Sequence, residues 1–112
     1  MNKVVYNSKY GGYCLSLQAA EWLAENGREK IKVYVKEELR KKPNDRYGYW
    51  LNDIERHDPD LVRCVETLGR KANGGLAELE VKELKGNRYR IDNYDGWEAV
   101  IEPEDEEYIT IT

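Results

Sequence analysis

The sequence predicts an α+β fold in which two helices pack on a mostly antiparallel sheet within a single compact domain. Two segments show helical spacing of apolar residues and well-marked ends, and they lie between stretches in which apolar and polar residues alternate. The dipeptide Asp95-Gly96 is the strongest hairpin signal in the chain. A length of 112 residues supports one domain, which we take as residues 1–112. The predicted element order is β-α-β-α-β-β, with a further strand permitted at the end.

The first half of the chain begins with a strand around Lys3–Tyr6, which a loop connects to the first helix. Ser16 is suited to cap this helix, because its side-chain oxygen can accept a hydrogen bond from a free N–H of the first turn. The pair Asn26-Gly27 ends the helix with a left-handed residue. Apolar and polar residues then alternate from Ile31 to Val35, which is typical of a half-buried strand.

The middle of the chain, residues 37–53, has no decisive pattern. Residues 37–42 can continue as a helix, whereas Pro43-Asn44-Asp45 and Tyr47-Gly48 are typical of turns. The structure and the role of this segment therefore stay open at the level of the sequence.

The second helix has the best-marked start. Asp58 is suited to cap it, and Pro59 fits the first helical position, where a missing N–H loses no hydrogen bond. An apolar stripe follows, and residues 72–75 end the helix. The remaining pattern predicts a strand at 76–84, a turn at 85–87, a strand from residue 89, a second strand at 97–101 after the Asp95-Gly96 turn, and a last strand near 108–111.

The aromatic residues are unusual, since the chain has nine Tyr, three Trp and no Phe. Every ring therefore carries a hydroxyl or an indole N–H. Such rings tend to lie half-buried or to line a binding surface, because a buried polar group needs a partner. Most of the rings fall in or beside loops, which indicates a binding surface there.

Composition and hydropathy exclude several classes of protein. Charged residues make up 36% and hydrophobic residues 40%, with a mean hydropathy of −0.87, which is polar but unlike the aromatic-poor composition of disorder. No apolar run is long enough to span a membrane, and the N-terminus lacks the hydrophobic region of a signal peptide. The two cysteines are too few for a disulfide framework. We therefore expect a cytoplasmic protein with free thiols and no membrane partner.

The net charge of −4 is unevenly distributed. Segment 102–107 holds five of the 22 acidic residues and no base, which leaves 17 acids against 18 bases in the rest of the chain. Residues 28–46 hold eight bases and four acids, an excess well short of the basic surface of a typical nucleic-acid-binding domain. We interpret the basic stretch as a solvated loop and the acidic segment as a solubility device.

Catalytic and metal-binding patterns are absent from the sequence. The one histidine, His57, could pair with Cys14 or Cys64, and Cys14 precedes a helix N-terminus, which would lower its pKa. No third group that would orient such a pair is identifiable. One histidine with scattered carboxylates matches no metal-ligand spacing, and no Walker or dinucleotide fingerprint is present. We therefore predict a protein that is not an enzyme and uses no metal or cofactor, with Cys14-dependent chemistry as a minor alternative.

Three loops are candidate ligand-binding segments. Residues 6–16 combine a glycine pair, over which a ligand can approach the backbone, with three tyrosines and a helix N-terminus that attracts anions. Residues 56–59 stand at the next helix N-terminus, and the flanking rings of the hairpin turn can rim a pocket. Turns and helix caps need the same residue types, so a structural role is the alternative for each loop. The candidate residues are Asn7, Tyr10, Gly11, Gly12, Tyr13, Ser16, Arg56, His57, Tyr94 and Trp97.

Three stretches of the chain resemble a family of small proteins from bacteriophages and large DNA viruses, most of them hypothetical. Val4–Ser16 has the pattern V-V-Y-N-x-x-Y-G-G-Y-x-L-S, and Arg56–Gly74 has the pattern R-H-D-P-x-L-V-x-x-V-E-x-L-G-x-x-A-N-G. Tyr94–Gly96 supplies a later Y-D-G, and residues 28–53 match nothing in the pattern. The resemblance implies a phage or prophage accessory protein that acts in the host cytoplasm.

This implied origin favours an inhibitor of host defence. We predict a homo-oligomer that sequesters a nucleotide-derived signalling molecule, with its phosphates near Gly11-Gly12 and Arg56 and its base among Tyr10, Tyr13 and Trp97. One alternative is a protein-binding inhibitor of a host defence or CRISPR component, because Tyr, Trp and Arg also dominate interface hot spots. A second alternative is a single-stranded nucleic-acid binder, against which the mild charge argues.

Overall fold

Helices and antiparallel strands are both present, which confirms the predicted α+β class. The structure is a computed structural model that describes residues 2–42 and 54–103. Within those residues the elements are β1 (Lys3–Asn7), α1 (Leu17–Glu25), α2 (Glu29–Arg40), α3 (Pro59–Leu68), a 3₁₀ turn (Gly69–Ala72), β2 (Leu79–Glu83), β3 (Arg90–Tyr94) and β4 (Trp97–Ile101).

The four described strands form two antiparallel pairs. Strand β1 pairs with β2, with Val5 opposite Val81, and β3 pairs with β4, with Tyr94 opposite Trp97. The turn between β3 and β4 holds Asp95 at φ 52° and Gly96 at φ 89°. Two successive residues with positive φ are what a two-residue turn needs to match the strand twist, so the predicted hairpin is confirmed.

Both predicted helix caps are confirmed. The Ser16 hydroxyl accepts a hydrogen bond from the backbone N–H of Ala19 at 3.1 Å, which closes the start of α1. The Asp58 carboxylate accepts from the N–H groups of Asp60 at 2.8 Å and Leu61 at 3.4 Å, which closes the start of α3. Helix α3 ends at Leu68, earlier than predicted. The rest of the stretch predicted as helix forms the 3₁₀ turn.

The strand predicted over residues 31–35 is wrong, because this segment lies within helix α2. Ile31, Val35 and Glu38 are buried at the spacing of a helix face, whereas Val33 is 60% exposed. Five residues of alternating polarity fit either a strand or a helix. Val35 and Glu38 lie four and seven residues after Ile31, which is the spacing of one helix face. The buried face of α2 packs largely against α1. The described residues therefore contain three α-helices rather than the predicted two.

The hydrophobic core has two parts. The larger part joins the three helices to β1 and β2 and includes Val5, Leu15, Leu23 and Leu61, each fully buried. A smaller part, formed by Val4, Leu84 and Val100, packs the β3–β4 hairpin against the other sheet. Together they hold the loop after β1 close to the hairpin turn.

Some predictions fall outside the described residues. These are the turns at 43–45 and 47–48, the strand near 108–111, and all but the first two residues of the acidic segment 102–107. Glu102 is described and is buried at 2% exposure, where its carboxylate accepts hydrogen bonds from the backbone N–H groups of Lys85 and Gly86. Among the described helices, none has the length and apolar character to cross a membrane.

Candidate functional site

The loop after β1 and the β3–β4 turn, two of the three predicted binding segments, lie against each other. A Cβ atom at Gly96 would collide with the backbone nitrogen of Gly12, so the turn packs directly on the glycine pair. Tyr10 meets Trp97 edge to face, with ring centroids 4.8 Å apart, and Tyr94 at 6.4 Å. We call Tyr10, Tyr94 and Trp97 the aromatic cluster. The structure therefore brings together three predicted site residues from opposite ends of the chain.

The Asn7 side chain holds the loop after β1 against the hairpin turn. Its side-chain amide donates to the carbonyl oxygens of Lys9 at 2.6 Å and Gly96 at 2.7 Å, and it accepts from the N–H of Glu78 at 2.8 Å. The residue is fully buried. A single side chain thus joins the loop, the hairpin turn and the segment before β2, and its predicted contact with a ligand stays a prediction.

Arg56 is held by a buried carboxylate. Its guanidinium forms two hydrogen bonds to Glu98, at 2.6 and 2.9 Å, and stacks over the Tyr13 ring with 3.5 Å between the guanidinium carbon and the ring centroid. Glu98 is 4% exposed and also accepts from the backbone N–H of Asn7. Because Glu98 balances the charge of Arg56, the guanidinium is committed within the fold rather than left free for a phosphate.

Tyr13 lies in the same buried group. Its ring is 8% exposed, and its hydroxyl has no hydrogen-bond partner among the described residues. Burial strongly raises the pKa of Tyr13, and the opposing effect of the nearby Arg56 charge is smaller. The hydroxyl therefore stays protonated, and its surroundings are those of a core residue.

Each of the two helix N-termini expected to hold anions carries a side-chain cap. Ser16 caps α1 and also donates its hydroxyl proton to the Lys71 carbonyl oxygen. At α3 the cap is the Asp58 carboxylate, which pairs with Arg28. Burial alone would raise the pKa of Asp58, but the hydrogen bond from Arg28 and those from the backbone outweigh it and lower the pKa. At α3 a carboxylate therefore already occupies the position at which a ligand anion would bind, whereas an anion at the start of α1 stays a prediction.

The expected lowering of the Cys14 pKa is wrong, and Cys14-dependent chemistry stays a minor alternative. Burial raises the pKa of Cys14, and it raises the pKa of Cys64 to about 12. Both thiols are free and buried, and each donates weakly to a backbone carbonyl at 3.6 Å. The apolar surroundings outweigh the influence of the helix N-terminus, because the thiolate loses its hydration there.

Native thiol reactivity tests this placement. We expect both cysteines to react at least about 100-fold more slowly with a water-soluble aromatic disulfide reagent at about pH 8 than they do in guanidinium chloride, because burial disfavours and shields the thiolate. Absorbance of the released thiol measures the rate. Rapid labelling of the folded protein at one cysteine would contradict the burial.

His57, the remaining predicted residue, lines a groove of about 490 Å³ between the start of α3, the start of β1 and the segment after β2. Its Nδ1 lies 2.7 Å from the Tyr89 hydroxyl, and its Nε2 lies 2.7 Å from Oε2 of Glu55. We call this cavity the His57 groove. Its lining residues are Asn2, Lys3, His57, Pro59, Val62, Arg63, Leu84, Asn87 and Tyr89.

The described charged residues that line the His57 groove are basic. Lys3 and Arg63 contribute positive charge, and no Asp or Glu is among the lining residues that the structure describes. The acids that pair with these cations lie outside the lining, with Glu66 at 3.0 Å from Lys3 and Asp60 at 3.5 Å from Arg63. These are exposed pairs, which solvent screens. The volume falls in the usual range for small-molecule sites.

Sequence reasoning missed most of the residues that line this groove. Pro59, Val62 and Arg63 are three and four residues apart, so one face of the predicted second helix carried a usable signal. Lys3 and Tyr89 reach the groove only because β1 pairs with β2 and the chain then turns back. Nothing local in the sequence marks either residue.

A second, shallower cavity of about 420 Å³ lies beside the aromatic cluster. Its lining residues are Tyr10, Gly11, Gly12, Asp95 and Gly96. Within residues 2–42 and 54–103, no group of three or more His, Cys, Asp or Glu side chains is placed to hold a metal ion.

Comparison with protein-family models, with curated proteins and with solved structures finds no match to this chain. The resemblance to viral proteins therefore stays a prediction, and the function has to be inferred from the geometry.

Proposed function

We propose that the protein binds a nucleotide-type molecule, an anion that carries an aromatic base, in the His57 groove and sequesters it without converting it. The observation that carries this proposal is the lining of the groove. Lys3, Arg63 and His57 face a cavity of ligand size in which no described lining residue is acidic, and the Tyr89 ring stands beside them. Cationic side chains next to an aromatic ring complement phosphate and base together.

The polar side chains of the groove divide the recognition between them. Arg63 and Lys3 can donate charge-assisted hydrogen bonds to phosphate oxygens, and these are roughly twice as strong as neutral ones. The amides of Asn2 and Asn87 can both donate and accept, as the edge of a base requires. Tyr89 offers a ring for stacking.

His57 lies between two polar partners that orient its ring. His57 bridges the Glu55 carboxylate and the Tyr89 hydroxyl, an order of groups that could serve acid–base chemistry. However, burial raises the pKa of Tyr89, and the Glu55 charge raises it further, which outweighs the opposing effect of Arg56. Tyr89 is therefore a hydrogen-bond donor at neutral pH rather than an activated nucleophile.

The proposed ligand class is the one inferred from the sequence, but the proposed binding site is a different one. The phosphate was expected near Gly11-Gly12 and Arg56, but Arg56 is committed to Glu98 and the glycines pack under the hairpin turn. The proposed biological role, removal of a host nucleotide signal by a viral accessory protein, rests on the resemblance and on this chemistry together.

A thermal-shift panel of cyclic dinucleotides, cyclic trinucleotides and ADP-ribose derivatives tests the proposal. A ligand at 100 times its Kd should stabilise the folded state by about 2.7 kcal/mol, which raises the Tm by several degrees. We expect Arg63→Ala to lower the affinity by at least about tenfold, through loss of a charge-assisted contact. Arg70→Ala, which removes an exposed arginine outside the groove lining, is the matched control.

Three outcomes would contradict the proposal. No shift with any compound in the panel would remove the ligand class, and equal affinity in Arg63→Ala and the wild type would remove the site. Recovery of a chemically altered compound after heat release would mean that the protein is an enzyme.

A further inference from the structure

The aromatic cluster belongs to a larger exposed apolar surface. Tyr10 is 48% exposed, Tyr94 76% and Trp97 47%. Leu76, 69% exposed, joins them, because a Cβ atom at Gly11 would lie 2.6 Å from the Leu76 Cβ. We call these four residues the aromatic face. Contiguous exposed apolar side chains are rare on monomeric proteins and commonly mark a contact with a partner.

The aromatic face is held in place before any partner arrives. Tyr10 stands nearly perpendicular to Trp97, at 85°, and at 64° to Tyr94. The Asn7 hydrogen bonds and the contact between Gly96 and Gly12 fix the two segments that carry the rings. Rings held in this way lose little conformational entropy on binding, which makes them suited to recognition.

The polar groups on the rings of this surface can each donate a hydrogen bond. The hydroxyls of Tyr10 and Tyr94 and the indole N–H of Trp97 belong to exposed side chains and are accessible to a partner. Asp95 is the one charged side chain among the described residues that line the adjacent cavity, and it has no ion-pair partner among them. A complementary partner therefore presents apolar rings, carbonyl acceptors and a positive charge.

We propose that the aromatic face binds an extended proline-rich segment of a partner protein, with a lysine or arginine of that segment paired to Asp95. Proline offers a flat apolar ring to Tyr and Trp faces, and its carbonyl is an acceptor while its nitrogen carries no hydrogen. A proline-rich segment is already extended, so it loses little entropy when aromatic rings grip it. This surface shares no lining residue with the His57 groove and its use is independent of the nucleotide proposal.

Fluorescence anisotropy with labelled ten-residue peptides tests the proposal. The probe is a proline-rich peptide with one arginine, and the comparison peptides replace its prolines by alanine or its arginine by glutamate. We expect the probe to bind at least about tenfold more tightly than either comparison peptide. Trp97→Ala is expected to weaken probe binding by at least about tenfold, as removal of a hot-spot ring does.

Two further variants separate the parts of the surface. Asp95→Asn should weaken binding of the arginine probe and leave the glutamate peptide unaffected or better bound. Val33→Ala, which trims an exposed apolar side chain on α2, should change nothing, and neither should Arg63→Ala in the His57 groove.

Four results would overturn the proposal. The first two are equal binding of the proline and alanine peptides, and no peptide binding up to millimolar concentration. The other two apply if the peptides do not bind: binding of an oligothymidine that Trp97→Ala abolishes, or self-association in sedimentation that Trp97→Ala abolishes. The last two would assign the face to single-stranded nucleic acid or to a second copy of the chain.

Discussion

Glu98→Ala is expected to destabilise the protein by about 3–5 kcal/mol, which is the usual effect of removing one partner of a buried ion pair. Glu98 is 4% exposed and receives two hydrogen bonds from the Arg56 guanidinium. It also accepts the backbone N–H of Asn7 at 2.9 Å. Its loss leaves a largely buried cation on the Tyr13 ring and an unsatisfied amide in the core. Urea denaturation followed by far-UV circular dichroism measures the change.

Matched variants distinguish this pair from an ordinary one. Glu66→Ala breaks the exposed pair with Lys3, whose side chains are 37% and 44% exposed, and should cost less than about 1 kcal/mol. The double variant Arg56→Met with Glu98→Leu should recover part of the stability that Glu98→Ala loses, because no charge is then left unpaired. A loss for Glu98→Ala no larger than that for Glu66→Ala would show that the buried pair contributes little.

The same pair explains why Arg56 could not be assigned from the sequence. Arg56 precedes a helix cap, a position at which an arginine can face either solvent or a ligand. Its partner Glu98 lies 42 residues away on β4 and reaches it only through the packing of the hairpin beside β1. An ion pair of this kind depends on tertiary structure, and neither residue carries a local signal for it.

Local signals, by contrast, predicted much of the fold. Ser16, Asp58 and the Asp95-Gly96 turn act within a few residues of chain, and each does what its chemistry predicts. The strand predicted for residues 31–35 was wrong, because five residues are too few to distinguish the two-residue period of a strand from the 3.6-residue period of a helix. Burial against α1 favours the helix. Sequence information was sufficient where the interaction is local and insufficient where it is not.

The candidate sites follow the same division. The loops that carry Tyr10 and Trp97 were predicted, because glycines and aromatic residues mark loops locally, although their contact was not. The His57 groove needed β1, α3 and the chain after β2 to meet, and single exposed cations such as Lys3 and Arg63 have no distinctive context. His57 was the one residue of the groove to be predicted, through its position at a helix start.

Asn7→Ala is expected to destabilise the protein by about 3 kcal/mol or more. The side chain is fully buried, and its removal leaves the N–H of Glu78 and the carbonyl groups of Lys9 and Gly96 without partners. Each buried polar group that loses its partner costs about 1–3 kcal/mol, and water that enters the space reduces the sum. Thermal unfolding measures the loss, and near-UV circular dichroism reports the tyrosine and tryptophan environments of the aromatic cluster.

Asn93→Ala is the matched control, since this asparagine accepts a single hydrogen bond from the Gly96 N–H in an exposed part of the same hairpin. Its loss should cost less than about 1 kcal/mol, because water replaces the missing acceptor. The two variants also separate a structural role for Asn7 from its predicted contact with a ligand. If Asn7 holds the loop to the turn, Asn7→Ala lowers the Tm and loosens the rings in the absence of any ligand. If it contacts a ligand instead, the variant keeps the wild-type Tm and ring spectrum and loses affinity alone.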